Sequence, residues 1–425
     1  MKKQFFKIIS LFLVLAIIVC GCNNNDSEVL KEIPSQTTIL PVTNDGTINL
    51  TKKVTANNVS GKNADDTFIN AQADFAVNLF KKNVSVDKNK NVLISPLSAT
   101  LALAMAFNGA DGETKKEFER LMGNITVEQL NEYLYSYINN LDASEIKLNI
   151  ANSIWIKNGF NVKEDFLKAN KNYYNSEVFG ADFNSDTVND INKWASDNTD
   201  DMINKLLSDD DITKDTVMCL INALLFDADW ENQYSHTDAT QTFTNINGEK
   251  KTVQTLKCSA YTYYDNEKAT GFKKNYANNN FSFVALLPDG NINDYVSNLN
   301  GKELLETLNN PQEVTANTQM PEFTYECNYD MINLLSPLGV VSAFDESKAD
   351  FSKISNDLYI SKSIQKTKIS VNEVGTKAAA VSTTFMTKGF MSDREYEVVL
   401  DRPFIYMIVD NRTNLPIFIG AVMDI

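Results

Sequence analysis

Residues 215–230, DTVMCLINALLFDADW, form a continuous apolar run bounded by polar residues. Its length suits a buried helix or a central strand. Asn222 in the middle and the flanking aspartates favour a strand buried on both faces. Such a strand requires covering layers on both sides, so the rest of the chain has to supply helices as well as further strands.

Helical periodicity is concentrated in the first half. TFINAQADFAVNLFKKN (67–83) places Phe68, Ala71, Phe75, Leu79 and Phe80 near helical spacing. NVLISPLSATLALAMAFNGADGETKKEFERLM (91–122) reads as a short buried strand ending at Pro96 and an apolar helix from Leu97 to Phe107. A break at Gly109 and Gly112 then precedes a charged helix. KLNIANSIWIKN (147–158) alternates as a strand, EDFLKANKNYY follows as a helix, and VNDINKWASDNTDDMINKLL (188–207) reads as helical throughout. From 241 to 290 short alternating runs, FSFVALLP among them, are separated by turn residues. NDYVSNLNGKELLETLNN suggests helices. Strands recur after 311, interrupted by NYDMINLLSPLG, and the chain closes on REYEVVL, PFIYMIVD and LPIFIGAV. Helices first and strands later argue for an α+β fold rather than alternating βαβ units.

The first residues, MKKQFFKIISLFLVLAIIVCGC, open on Lys2 and Lys3, then carry an almost uninterrupted apolar run from Phe5 to Val19, then small residues and cysteines. This is the shape of a signal peptide, and the run is too short for a comfortable membrane span. Val19-Cys20-Gly21-Cys22 resembles the end of a bacterial lipoprotein signal with Cys22 as the diacylated mature N-terminus. Cys20 is the poorer candidate because Val19 stands where a small residue is wanted; simple secretion without lipid is the alternative. Residues 23 to about 63 are rich in Asn, Thr, Ser and Asp, too polar to offset their ordering entropy, and read as a disordered tether. The expected organisation is a signal peptide at 1–21, a tether at 22–63 and one large domain at 64–425.

Several kinds of chemistry are poorly provided for. With 39 basic and 55 acidic residues the net charge is −16, and nothing supplies a basic groove for nucleic acid. Cys219, Cys258 and Cys327 are scattered in apolar strand-like runs and read as buried small hydrophobes, not as a disulfide framework or nucleophiles. His236 is the single histidine and lies in the polar stretch ENQYSHTDATQ, so a histidine-dependent nucleophile would have only this base, and no G-x-S-x-G elbow exists for it to serve. Zinc sites need two or more His or Cys at short spacing, which the chain lacks beyond Cys22. GADGET (109–114) has glycines but not the Lys-Ser/Thr ending of a phosphate loop. Neither a metal nor a cofactor is implied.

EVGTKAAAVSTTFMTKGFMSD, Glu373 to Asp393, has small and β-branched residues, two glycines and no proline, yet neither a helical stripe nor strict alternation of polarity. Its parity is informative. From Thr376 the even positions are Thr376, Ala378, Ala380, Ser382 and Thr384, all small enough to face inward in a packed sheet. Lys377, Ala379, Val381, Thr383 and Phe385 would face outward, and Gly375 would supply freedom at the pivot.

Together these pieces resemble the serpin family over nearly all of 64–425. The matching runs include NVLISPLSATLALAMAFNGADGETKKEF, LNIANSIWI, INKWASDNT, INALLFDADW, LGVVSAFDESKADFSKIS, VNEVGTKAAAV and DRPFIYMIVDNRTNLPIFIG, in this order. The resemblance implies three β-sheets with eight or nine helices and an exposed reactive loop near the C-terminus. It also implies a monomeric protease inhibitor, not an enzyme, whose loop is cut and then inserts as a new strand while carrying the acyl-enzyme. By that resemblance Glu373, Gly375, Thr376, Ala378, Ala379 and Ala380 are the hinge. Lys377 stands where the family usually has Glu. Fourteen residues from Thr376 to Gly389 span about 46 Å at ~3.3 Å per residue, enough to cross a large domain.

The family's spacing puts the reactive bond at Gly389-Phe390, and a one-residue offset makes Lys388 or Phe390 the recognised side chain. Lys388-Gly389 and Gly389-Phe390 are therefore the expected bonds, for trypsin-, subtilisin- or chymotrypsin-like targets, with papain-like cysteine proteases as a further class. Cutting at Phe385 or Met386 would shorten the inserted strand. Ser95, Ser98 and Asn222 match a polar cluster beneath the point where the central strands part, Gln365 stands in place of a histidine there, and Trp230 matches a tryptophan at the top of the opening. The chain ends VMDI where the family has a proline pair. A non-inhibitory surface lipoprotein of the same fold, acting as a binder or chaperone, is the rival reading; such relatives carry bulky, charged or proline residues in the hinge.

Overall fold

The computed structural model describes residues 39–41, 46–234, 239–376 and 396–425. The first half runs β1 (Ile39–Pro41), β2 (Ile48–Asn49), α1 (Asp66–Val86), β3 (Val92–Ile94), α2 (Pro96–Phe107), α3 (Gly112–Leu121) and α4 (Val127–Asn139). It continues with β4 (Lys147–Lys157), β5 (Asn161–Lys163), α5 (Glu164–Tyr174), β6 (Glu177–Ala181), α6 (Ser185–Asn198) and β7 (Met218–Asp229). Strands then dominate: β8 (Thr240–Thr244), β9 (Lys250–Ala260), β10 (Thr262–Asp265), β11 (Ala269–Asn275) and β12 (Phe281–Pro288), followed by α7 (Ile292–Asn298) and α8 (Gly301–Asn309). The last elements are β13 (Ala316–Pro321), β14 (Phe323–Asp330), α9 (Met331–Leu335), β15 (Lys362–Val371), β16 (Gly375–Thr376), β17 (Tyr396–Val399), β18 (Phe404–Asp410) and β19 (Pro416–Val422).

Among the described residues three main sheets form, accompanied by nine α-helices and the small pair β1–β5. The largest sheet has the order β14-β15-β16-β7-β4-β6-β2, the second β10-β11-β12-β18-β19-β3, and the third β17-β13-β9-β8. This is the α+β architecture expected from the sequence.

The run 215–230 is the middle of the largest sheet, and its side chains divide between two cores. Leu220, Leu224, Phe226 and Ala228 face the large core shared with α1, α2 and the six-stranded sheet, whereas Cys219, Ile221 and Ala223 join a second core with Trp155, Ile191 and Trp194 beneath α6. Period-2 alternation thus survives even though both faces are apolar. Beneath this strand α2 is buried on all sides, as an all-round apolar helix must be. Its start is set by Ser95, whose Oγ accepts from the Ser98 amide at 3.2 Å, and by Pro96 in the first turn. The preceding strand consequently ends at Ile94 and not at Pro96.

Two expectations change. The helix expected over 188–207 stops at Asn198, because Asp200 and Asp201 adopt left-handed φ of 47° and 60° and the Thr199 hydroxyl donates to the Ala195 carbonyl at 2.7 Å. The following irregular segment still packs, through Ile203, Leu206, Leu207 and Ile212, into the core under α6. The segment read as a tether is folded from residue 46 onwards: Ile48 and Asn49 pair with Gly180 and Phe179, Asn49 donates to Glu177 at 2.7 Å, and the Lys62 amide donates to the Glu132 carbonyl at 3.0 Å. Hydrogen bonds hold this stretch, so low hydrophobicity was a poor guide to it. Of the three cysteines only Cys219 is fully buried; Cys258 and Cys327 are half-buried.

Candidate functional site

β15 and β7 lie side by side in parallel, but their ladder covers only Lys362↔Cys219 to Lys366↔Ala223. Above it the strands are held apart by the two residues of β16. Gly375 pairs with Asp229 and Thr376 with both Ala228 and Val371, antiparallel to each neighbour. At Gly375 and Thr376 the chain therefore already enters the sheet at its head.

The head of this gap is built from aromatic and polar groups. Trp230 continues β7; its amide donates to the Val374 carbonyl and its indole Nε1 to the Asn372 carbonyl, both at 2.9 Å. The ring stacks on Tyr276 with centroids 4.7 Å apart. The Tyr276 and Thr376 hydroxyls are 2.7 Å apart, which holds Thr376 inward at 1% exposure. The Asn372 side chain accepts from the Val374 and Gly375 amides, closing a tight turn before β16, and the Glu373 carbonyl accepts from the Tyr234 amide at 2.9 Å. Gly375 has a concrete steric role: a Cβ there would lie 2.2 Å from the Ala228 carbonyl oxygen and 2.7 Å from the Asp229 Cα. Close approach of strands, more than pivot freedom, demands glycine. Burial also raises the Asp229 carboxyl above its ordinary range.

At the lower end of the gap the strands are joined by a buried amide network. Gln365 Oε1 accepts from the Ser95 amide at 3.0 Å, and its Nε2 donates to the Ser95 carbonyl at 3.0 Å and to Asn222 Oδ1 at 2.9 Å. Asn222 Nδ2 donates to the Ser98 carbonyl at 2.6 Å and to Asn152 on β4. Ser95 Oγ donates to the Ile417 carbonyl at 2.8 Å, linking the cluster to the six-stranded sheet. One glutamine thus reaches α2 and β7 together, which an imidazole with a single donor and acceptor in its neutral form could not do with three bonds.

The structure brings Ser95, Ser98, Asn222 and Gln365 together at one end of the gap and Trp230, Glu373, Gly375 and Thr376 at the other. Ala378, Ala379, Ala380, Lys388, Gly389, Phe390, Cys22 and His236 lie outside the described residues. Asn152, Tyr276 and Asn372 were not singled out from the sequence. Asn152 has the signal of a polar residue within a strand-like run, whereas Tyr276, inside the turn-like YANNN, offered none.

Residues 70–425 match the family model described as Serpin (serine protease inhibitor). The chain belongs to the serpin family. An uncharacterized serpin-like protein of Methanosarcina acetivorans is 32% identical over 367 residues, covering 82% of this chain and 85% of that protein. Neuroserpin of Homo sapiens is 31% identical, covering 83% and 90% respectively. Among solved structures, the thermophilic serpin tengpin in its native state is 43% identical with a TM-score of 0.85, covering 90% of this chain and 100% of tengpin. Tengpin in its latent state gives a lower TM-score, 0.75, with 86% of this chain covered. By this measure the serpin is the more similar to the native form of that relative. Serpins as a family are generally protease inhibitors.

Proposed function

We propose that this serpin is an inhibitor that traps serine proteases covalently, with papain-like cysteine proteases as a second class of target. The observation that carries this reading is β16, which seats Gly375 and Thr376 between β15 and β7 above the five residue pairs through which those strands join directly. Continued in the same register, Ala378 comes between Ile369 and Phe226, Ala380 between Thr367 and Leu224, and Ser382 between Gln365 and Asn222. These neighbours face the large core or the amide network, so every inward position of the incoming strand is small where space is least. Lys377 comes opposite Ser370 and Asp227 on the other face, which gives the unusual lysine an acidic neighbour. At the floor Ser382 replaces the direct Gln365–Asn222 bond, its hydroxyl accepting from the one and donating to the other.

The sequence of events follows from that geometry. The protease serine Oγ attacks the carbonyl of Lys388 or Gly389, an ester forms, the peptide bond breaks, and the serine proton passes to the new amine of the following segment, which stays in the fold through β17, β18 and β19. The freed strand then zips between β15 and β7, gaining ladder bonds on both edges at about 1 kcal/mol net each. The tethered acyl-enzyme is drawn to the opposite end of the sheet before water completes hydrolysis. The loop's uncut form is metastable for the same reason. Outside the fold, the signal peptide at 1–21 and Cys22 support export and a diacyl anchor in a lipid bilayer, which places the inhibitor at the extracytoplasmic cell surface.

Incubation with trypsin-, chymotrypsin-, elastase-, subtilisin- and papain-like proteases tests the reading. A denaturant-resistant complex is expected on gels, and the mass of the released C-terminal peptide assigns the bond. If every protease nicks the loop, stays active, and leaves a product that melts no higher than the intact chain, the protein is a non-inhibitory serpin. Thr376→Arg places a long cation where 1% exposure leaves no room and should turn inhibitor into substrate. Cys22→Ala should move the full chain from the detergent phase to the aqueous phase.

A further inference from the structure

Cys258 differs from the other described thiols in its surroundings. It sits half-buried on β9, and its Sγ is 3.8 Å from the Lys274 Nζ on β11 and 3.4 Å from the Thr318 hydroxyl across the sheet. Lys274 is only 9% exposed. Its ammonium donates to the Asn232 carbonyl at 2.7 Å and lies over the rings of Tyr234, at 4.3 Å, and Trp230, at 5.6 Å. No carboxylate forms an ion pair with it among the described residues. The third member of the group is Tyr234, 5% exposed, whose buried hydroxyl has no hydrogen-bond partner among the described residues and is near enough to Cys258 to interact with it electrostatically.

Donors therefore outnumber acceptors around this sulfur. An ammonium carries three N–H groups and a phenol one O–H; among the described residues the ammonium has the Asn232 carbonyl and the weakly accepting Cys258 sulfur, the Tyr234 hydroxyl has no acceptor, and buried donors without good acceptors cost stability. A new acceptor atom attached to Sγ would lie between Lys274 and Tyr234. Cys219 has no such environment: it is fully buried among apolar side chains, which pushes its thiol well up. Cys327 is likewise pushed up by burial, and its Sγ contact is with the Asn91 carbonyl at 3.7 Å, an acceptor.

We propose that Cys258 is a site of reversible oxidation by hydroperoxides, held at the sulfenic acid by Lys274 and Tyr234. The sulfur attacks the terminal peroxide oxygen, an S–O bond forms and the O–O bond breaks. Sulfur loses two electrons and the peroxide gains them, leaving as water or an alcohol after taking up the thiol proton. The oxygen now on sulfur accepts from the Lys274 ammonium and the Tyr234 hydroxyl, which disfavours attack by a second peroxide. The cage also belongs to the frame around β16, since Trp230 and Tyr234 bind Asn372 and Glu373.

The full chain is treated with an equimolar amount of hydrogen peroxide in the presence of a cyclic 1,3-dione, digested, and mapped by mass. Adduct on Cys258 is expected at about tenfold the level on Cys219 and Cys327, and reduction before the dione is added should abolish it. Lys274→Met should lower the adduct about fivefold, and Tyr234→Phe should shift Cys258 towards the sulfinic acid. Equal labelling of the three cysteines, sulfinic acid at Cys258 without a trappable intermediate, or unchanged adduct in both variants overturns the proposal. Thermal melts identify a misfolded Lys274→Met protein; Tyr234→Phe, which removes one oxygen atom, then decides alone.

Discussion

The centre of the six-stranded sheet and the centre of the seven-stranded sheet are both buried on two faces, yet they are joined differently. In the former, β18 and β19 pair from Phe404↔Val422 to Val409↔Pro416, and Tyr406, Ile408, Ile417 and Ile419 are closed off from solvent. In the latter, β15 and β7 pair directly over five residues and are then parted by Gly375 and Thr376. Apolar content does not distinguish the two. What differs is the polar floor of Ser95, Asn222 and Gln365 at the parting point, where directional side-chain bonds tie the two strands to the start of α2. One sheet is a paired foundation and the other is paired directly only below the parting.

This contrast is open to attack from both sides. Ile419→Ala cuts into the foundation and is expected to lower unfolding stability by about 2–5 kcal/mol, read in denaturant, while the stoichiometry of protease inhibition stays unchanged; a changed stoichiometry at equal stability would erase the distinction. Gly375→Val acts only at the gap. Its Cβ meets the Ala228 oxygen at 2.2 Å, and relieving that clash costs about 1–3 kcal/mol. Hydrogen exchange should rise at Trp230 and Asn372–Thr376 and remain unaltered in β18 and β19.

Tyr276→Phe removes the partner of the Thr376 hydroxyl at a cost of about 1 kcal/mol. Faster exchange at Thr376, with the melting temperature nearly constant, is the expected signature. A smaller effect separates α1 from both sheets. Hydrogen bonds from the Tyr133 hydroxyl, Lys62 and the Phe68 amide hold the Asp65 carboxyl well below its ordinary 3.8. A carboxyl depressed on folding adds stability that is present above that ordinary value and lost as pH falls towards the folded one. The melting temperature of Asp65→Asn should therefore lie slightly below that of the parent near neutrality, and the difference should shrink under acid. The Asp65 side chain keeps 43% exposure and is screened by solvent, so the shift is expected to be small.

Much of the fold was legible because its signals are local. The all-apolar helix α2 announces itself through Ser95-Pro96 and twelve residues without a charge, and β7 through its uninterrupted run. The end of α6 was missed because helical periodicity continues through DDMINKLL while two successive aspartates turn the backbone left-handed. Folding of residues 46–63 was missed because polar side chains can be secured by bonds to partners more than a hundred residues away, as Asn49 is by Glu177. In the site, the small parity from Thr376 onward could be counted along the chain, but Asn152 meets Asn222 across 70 residues and Tyr276 meets Thr376 across 100.

By itself the sequence determined most of the strands and helices, the family, and the small residues at every second position from Thr376 to Thr384, since each depends on the order of neighbouring side chains. Tertiary structure decided where Gly375 and Thr376 enter the sheet, why Gly375 must be glycine, how Gln365 joins α2 to β7, and that Cys258 faces an ammonium. Those depend on the approach of segments far apart in the chain, where a difference of a single ångström separates a hydrogen bond from an empty contact.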